Sequence, residues 1–273
     1  IAPAGDVDGD GYSDVIVGSP DWSASGTLHD GHAWVLPGAP DGLLQTFLLD
    51  VAGTQDGGGF GESVAPAGDV NGDGYDDVLV GMPEYDGGLY ETGRVYLYYG
   101  SADGPVADEP WHAGSDLSSR FGYSVSTAGD LDGDGYDDIV VGDPFTGTYT
   151  SGRISIKYGA PGGFAGASMD WSEMGGYESW LGYAVATAGD VDGDGYDDIV
   201  AGAPRYHSGE IDEGALYVYR GSASGVVTPP TIIQGDAEFL GLGRSVAPAG
   251  DVNGDGYADV LAGCIPLGSA PYD

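Results

Sequence analysis

An acidic nonapeptide recurs five times along this 273-residue chain, beginning at Asp6, Asp69, Asp130, Asp190 and Asp251 in steps of 63, 61, 60 and 61 residues. Recurrence at a nearly constant period is the mark of one supersecondary unit stacked on copies of itself, each burying a face that its neighbour covers. The chain is therefore read as one continuous architecture over residues 1–273, with units starting near residues 1, 60, 121, 181 and 242. The first unit is expected to lack its opening strand and the last to stop after its second, so both count as incomplete.

Composition sharpens this. Asp and Glu number 44 against 7 Lys and Arg, a formal charge of -37, yet 41% of residues are hydrophobic and 19 are Tyr. That much apolar and aromatic surface separates the chain from disordered polyanions, which cannot bury enough to offset chain entropy. A surface of this sign repels nucleic acid and anionic membranes and attracts divalent cations. The single cysteine, Cys264, excludes an internal disulfide and is expected to be a small buried side chain. No run approaches the roughly 18 to 20 apolar residues of a membrane span. Ile1 opens in mid-repeat, so the chain is expected to be a piece of a longer protein.

Each unit has the same internal order. A short alternating run (residues 63–66, 124–127, 184–187 and 245–248) precedes the acidic loop, and a β-branched run such as Val15, Ile16 and Val17 follows it, closed by Gly and Pro. A third run alternates at residues 94–99 and 215–219, and a weaker fourth is seen at residues 43–49, Trp111 and Trp171. Period-2 alternation bounded by Gly and Pro predicts short antiparallel strands, and no window sustains a 3.6-residue period. Four such strands per unit, repeated radially, form the blade of a β-propeller. The fold class is therefore all-β, a propeller of four-stranded antiparallel blades with about four to five blades present.

The acidic loop carries the chemistry. In residues 130–138, carboxylates fall at loop positions 1, 3, 5 and 9 and glycines at 4 and 6. A hard cation such as Ca²⁺ takes six to eight oxygens at about 2.3 to 2.6 Å, and alternate acidic side chains on a tightly turning backbone supply them. The candidate ligands are Asp6, Asp8, Asp10 and Asp14 in the first loop, Asp69, Asn71, Asp73 and Asp77 in the second, Asp130, Asp132, Asp134 and Asp138 in the third. Asp190, Asp192, Asp194 and Asp198 form the fourth set, and Asp251, Asn253, Asp255 and Asp259 the fifth. Position 7 is always Tyr (Tyr12, Tyr75, Tyr136, Tyr196, Tyr257), expected to offer its backbone carbonyl while its ring packs beside the strand. Asn71 and Asn253 each remove one negative charge, so those loops are expected to bind more weakly. EF-hand loops open similarly but need a bidentate Glu at position 12. Here position 12 is Val17, Val80, Val141, Ala201 and Ala262, all inside predicted strands, and that reading is rejected.

These loops stand in a wider pattern. Phe60-Gly61, Phe121-Gly122, Leu181-Gly182 and Leu242-Gly243 precede them, and Gly202-Ala203-Pro204, Gly81-Met82-Pro83 and Gly142-Asp143-Pro144 follow. Leu replaces Phe in two copies, and Ile265 is inserted in the last Gly-x-Pro turn. The chain resembles the FG-GAP repeats of the integrin α-subunit propeller and its bacterial relatives. The resemblance implies a seven-bladed propeller of which this chain holds a little over half, with calcium on the lower face, partner recognition on the upper, and an extracellular or cell-surface setting.

About five Ca²⁺ sites and a binding or adhesion function are therefore expected, with a protein or glycan ligand on the face opposite the calcium loops and no membrane insertion. The loops at residues 21–32, 84–93, 145–152 and 205–213 carry Trp22, Tyr85, Tyr90, Phe145, Tyr149 and Tyr206, residue types that anchor recognition surfaces but that also fill the rims between blades. One alternative is the propeller region of a secreted hydrolase, phospholipase- or glycan-active. His29, His32, His112 and His207 occupy non-equivalent places, and no Gly-x-Ser-x-Gly elbow accompanies them, so no catalytic residue is named. A second alternative is an inert spacer of a surface protein.

Overall fold

The hydrophobic runs become strands, and the glycines and prolines between them become turns. The computed structural model describes residues 1–23, 29–107, 112–114, 116–147, 149–164, 166 and 168–266, and every element in it is a β-strand. The first blade is a sheet of β1 (Ala2–Gly5), β2 (Asp14–Ser19), β3 (His32–Leu36) and β4 (Leu49–Ala52), in that order. The second has β5 (Val64–Gly68), β6 (Asp77–Met82) and β7 (Arg94–Tyr99), whose outer edge pairs with two short strands, β8 (Val106–Ala107) and β9 (His112–Ala113). The third runs β10 (Ser124–Gly129), β11 (Asp138–Gly142), β12 (Arg153–Lys157) and β13 (Trp171–Met174). The fourth runs β14 (Ala184–Gly189), β15 (Asp198–Ala203), β16 (Ala215–Tyr219) and β17 (Thr231–Gln234), and β18 (Leu242–Gly250) pairs with β19 (Asp259–Cys264) in the fifth. All pairings within blades are antiparallel, as the alternation predicts.

Three expectations need correction. The first unit does have an opening strand, β1, whose Ala-Pro-Ala-Gly sequence is the same as residues 65–68 of the second unit. The fourth strand of the first blade starts only at Leu49, after an exposed segment in which Leu43, Leu44 and Phe47 are about half accessible. Trp111 lies outside the described residues. Cys264 is exposed rather than buried, because β19 is the outer strand of a two-stranded sheet and nothing described covers it.

The core lies between blades rather than within one. Ala4, Val7, Ile16 and Val35 of the first blade meet Phe60, Val78, Met82, Tyr96 and Tyr98 of the second, and equivalent clusters fill each later junction. Sandwiching explains why all six residues of β6 and of β15 are buried, so those strands read as continuous apolar runs. The Phe-Gly and Gly-x-Pro elements meet at these junctions. A Cβ on Gly18, Gly81, Gly142 or Gly202 would collide with the carbonyl of Gly61, Gly122, Gly182 or Gly243 in the following blade. Two backbones touch there, and only glycine leaves room.

Small residues of the five opening strands, among them Ala2, Ala65, Ser126, Ala186 and Ala247, line an open central space. Each opening strand ends in a bulge: its register slips just before Gly5, Gly68, Gly129, Gly189 or Gly250, all at positive φ. The bulge turns the chain out of the sheet and into the acidic loop.

Candidate metal centre

Every acidic loop joins the first and second strands of a blade, and its own carboxylates fold it. In the third loop the Asp130 side chain accepts the backbone amides of Gly133, Asp134 and Gly135 at 2.7, 3.1 and 3.0 Å. Asp132 accepts the Asp134 amide at 3.2 Å, and Asp134 accepts that of Tyr136 at 3.0 Å. Gly133 and Gly135 take φ of 74° and 92°, which a side chain would resist. The first, second, fourth and fifth loops repeat the bond from the position-6 glycine to the position-1 aspartate.

This winding gathers carboxylates. Among the described residues, ligand-competent oxygens of Asp6, Asp8 and Asp10, of Asp130, Asp132 and Asp138, and of Asp190, Asp192 and Asp194 lie within 4.8 Å of one another in each set. Such a set is all-oxygen and anionic, the donor chemistry of a hard divalent cation. One oxygen of Asp6 is also buried with no hydrogen-bond partner, and a cation would satisfy it. The residues present therefore fit a metal. The second and fifth loops, with Asn at position 3, form no such carboxylate trio among the described residues. In the second, the Asn71 amide donates to Asp73 at 3.0 Å and occupies a carboxylate oxygen. In the fourth, Arg220 reaches Asp192 at 2.9 Å and offsets part of the charge.

Position 9 has a second task. Asp14, Asp77, Asp138 and Asp198 are buried, and one oxygen of each accepts the amide of position 2 (Val7, Val70, Leu131, Val191) at 2.8 to 3.0 Å. The other oxygen accepts the amide of the glycine that ends the third strand, Gly38, Gly100, Gly159 or Gly221, at 2.7 to 2.9 Å. These aspartates staple the loop to the blade, and only Asp138 also falls within a trio. Burial pushes their carboxyls up against the opposing pull of the amides, Asp198 to about 6, Asp77 to about 7 and Asp138 to about 8.

Positions 7 and 8 act on the neighbouring loop, which the sequence did not disclose. The Tyr75, Tyr136, Tyr196 and Tyr257 rings lie over Gly9, Gly72, Gly133 and Gly193 of the preceding loop, where a Cβ would meet them. At position 8, Asp76, Asp137 and Asp197 each accept the amide of the preceding loop's first ligand, Asp6, Asp69 and Asp130, at 2.7, 2.9 and 3.1 Å. The recurrence of Asp at this position in three of five loops was the available signal.

Antiparallel strands send the loops between second and third strands out of the opposite end of each blade. There the six aromatic candidates divide. Tyr90 and Tyr149 are 62% and 61% accessible, and the Tyr149 ring meets that of the exposed Tyr177 at a tilt, with ring centres 4.8 Å apart. Tyr85 and Tyr206 pack against the interblade cores, Tyr85 beneath the Arg94 guanidinium at 3.7 Å. Trp22 packs on His32 at 4.2 Å, and Phe145 sits between Tyr123 and Trp180 at 5.5 and 5.3 Å. Part of the loop at residues 21–32 lies outside the described residues. Tyr177 joins this group from the segment after β13, which had no motif to mark it.

Known proteins share both pattern and fold. The FG-GAP repeat profile matches residues 1–36, 60–98 and 121–156, and the FG-GAP-like repeat profile matches residues 190–262. Integrin alpha pat-2 of Caenorhabditis briggsae is 34% identical over 216 residues, 73% of this chain and 17% of that protein. Integrin alpha-V of Gallus gallus is 34% identical over 224 residues, 77% of this chain and 20% of that one. The chain thus spans about a fifth of the length of these relatives. A solved glucose dehydrogenase superposes with a TM-score of 0.52 at 14% identity, covering 96% of this chain and 76% of that one, a likeness of fold alone. Repeated loops, glycine-on-glycine blade junctions and these matches together place the chain in the FG-GAP repeat family, as an integrin-alpha-like β-propeller.

Proposed function

We propose that this chain is a calcium-stiffened recognition scaffold of an extracellular or cell-surface protein, binding a protein or glycan at the loop face opposite the acidic loops. The observation that carries the reading is the gathering of carboxylates in the first, third and fourth blades, at one end of sheets whose other end carries exposed tyrosines. Metal-free, each trio sets like charges against one another; Ca²⁺ would remove that repulsion and fix the turn. Kinship with integrin alpha chains supports adhesion. About five sites follow from the five loops, and residues 1–273 form a single propeller region in this reading.

The described histidine side chains, those of His29, His32 and His207, favour binding over catalysis. His32 pairs with Asp50 at 2.5 Å, stacks on Trp34 and meets the tilted ring of Trp22, while His29 and His207 meet the backbone carbonyls of Asp21 and Arg205. These are packing and turn contacts.

The test is binding of the immobilised chain to a glycan array and to a panel of extracellular-matrix proteins, in Ca²⁺ and in EDTA. A ligand retained in Ca²⁺ and lost when Tyr90, Tyr149 and Tyr177 are replaced by Ala supports the reading. A ligand that survives this triple replacement but is lost with Asp134→Ala places recognition at the acidic loops instead. No ligand under any condition favours a spacer.

A further inference from the structure

The contacts at positions 7 and 8 run in one direction along the chain. Asp76 belongs to the second loop but accepts the amide of Asp6 in the first; Asp137 of the third serves Asp69 of the second; Asp197 of the fourth serves Asp130 of the third. The return bond closes each pair, since the position-8 amide donates to the carbonyl of the same ligand at 3.3, 3.2 and 3.2 Å. Each first ligand is thus held at both backbone groups by the blade that follows. The carboxylate also fills the space beside three of the five bulge glycines: a Cβ on Gly5, Gly68 or Gly129 would collide with Asp76, Asp137 or Asp197.

The fifth loop has lost half of this device. Ala258 stands at position 8, and although its amide still donates to the Asp190 carbonyl at 2.9 Å, no carboxylate is there to accept the Asp190 amide. A Cβ on Gly189 would meet only the Ala258 methyl.

We infer that Asp76, Asp137 and Asp197 are positioning residues for the metal site of the preceding blade, so that the first three loops are each preorganised by the loop that follows and the fourth, which faces Ala258, is not. In the second, third and fourth loops the first ligand accepts three amides from its own loop, so its placement fixes the winding of the whole turn. Holding its backbone from outside removes freedom that binding would otherwise have to remove, and prior ordering raises affinity. It also couples adjacent sites: occupancy of one loop orders positions 7 to 9, and positions 7 and 8 touch the loop before it. This rests on the proposal that the loops bind Ca²⁺.

The test follows Ca²⁺ titration of the whole chain by the amide resonances of the position-6 glycines, Gly74, Gly135 and Gly195, which report the second, third and fourth loops separately through their bonds to Asp69, Asp130 and Asp190. Asp137→Ala copies the natural residue of the fifth loop. It is expected to weaken the second loop about three- to tenfold, the span of one partly exposed hydrogen bond, and to leave the third loop within about twofold. Asp137→Asn keeps an acceptor and is expected to retain most of the second loop's affinity. Ala258→Asn is expected to strengthen the fourth loop without adding charge. If Asp137→Ala weakens its own third loop as much as the second, or if Asp137→Asn behaves like Asp137→Ala, the carboxylate acts only through its charge and the inference is overturned. If no glycine resonance responds to Ca²⁺ even in the unaltered chain, the metal reading itself fails.

Discussion

Arg220 is one of only seven basic residues in the chain, and it lies against a candidate ligand, Asp192. An exposed pair of this kind is worth little to stability, but its charge opposes a cation bound beside it. Arg220→Gln is expected to raise the fourth loop's Ca²⁺ affinity about two- to fivefold, measured by titration of the Gly195 amide; unchanged affinity would show that the guanidinium swings away on binding. The buried aspartates at position 9 set the pH response. Their carboxyls lie near 6, 7 and 8 in Asp198, Asp77 and Asp138, against 3.8 in an open chain, so between about pH 4 and 8 the metal-free folded state holds more protons than the unfolded state. Stability of the metal-free protein therefore falls as pH rises through that window. Calorimetric melting is expected to give a lower Tm at pH 8 than at pH 5.5 without metal, with the difference closing or reversing in saturating Ca²⁺, because the ion displaces those protons. A metal-free Tm that climbs from pH 5.5 to pH 8 would contradict the burial of these groups.

At the scale of loops and strands, glycines separate strain from collision. Gly135 has φ of 92° and open space around its missing Cβ, whereas Gly142 has an ordinary φ but faces the Gly182 carbonyl of the next blade. Gly135→Ala is expected to cost about 1 kcal/mol through its backbone conformation. Gly142→Ala is expected to cost about 3 kcal/mol, because overpacking has to push two backbones apart. Urea denaturation of both variants at saturating Ca²⁺ measures the difference, and equal costs would mean the blade junction yields easily. The order of the first three strands of a unit was legible in the sequence because alternating and β-branched runs end at Gly and Pro, but β1 was missed where the repeat is cut short at Ile1. The weak fourth strands were not legible, since Leu43, Leu44 and Phe47 are apolar yet exposed, and apolarity alone does not say which residues pair. The trios at Asp6, Asp130 and Asp190 were expected from spacing, whereas the staple made by position 9 and the clamp made by position 8 depend on residues up to 70 positions away. The recurrence of Asp at position 8 marks the residue but not the loop it reaches.

Across the whole molecule, blades touch through thin apolar cores and acidic loops, so the ion and the fold are expected to stabilise each other. Binding to the folded state alone contributes about 2.7 kcal/mol per site at a hundredfold excess over the dissociation constant. EDTA is therefore expected to lower Tm markedly, and Asp134→Ala to reproduce part of that loss; identical melting with and without chelator would make the loops structurally irrelevant. The acidic surface, at a formal charge of -37, adds long-range attraction for divalent ions that salt will screen. The most direct test of the central claim is isothermal titration calorimetry of the metal-free chain with Ca²⁺ and, separately, with Mg²⁺. The expected result is about five Ca²⁺ per chain with dissociation constants around 10⁻⁴ to 10⁻³ M, and weaker Mg²⁺, whose rigid octahedral demand suits these loops poorly. A single Ca²⁺ site, or equal preference for Mg²⁺, would contradict it.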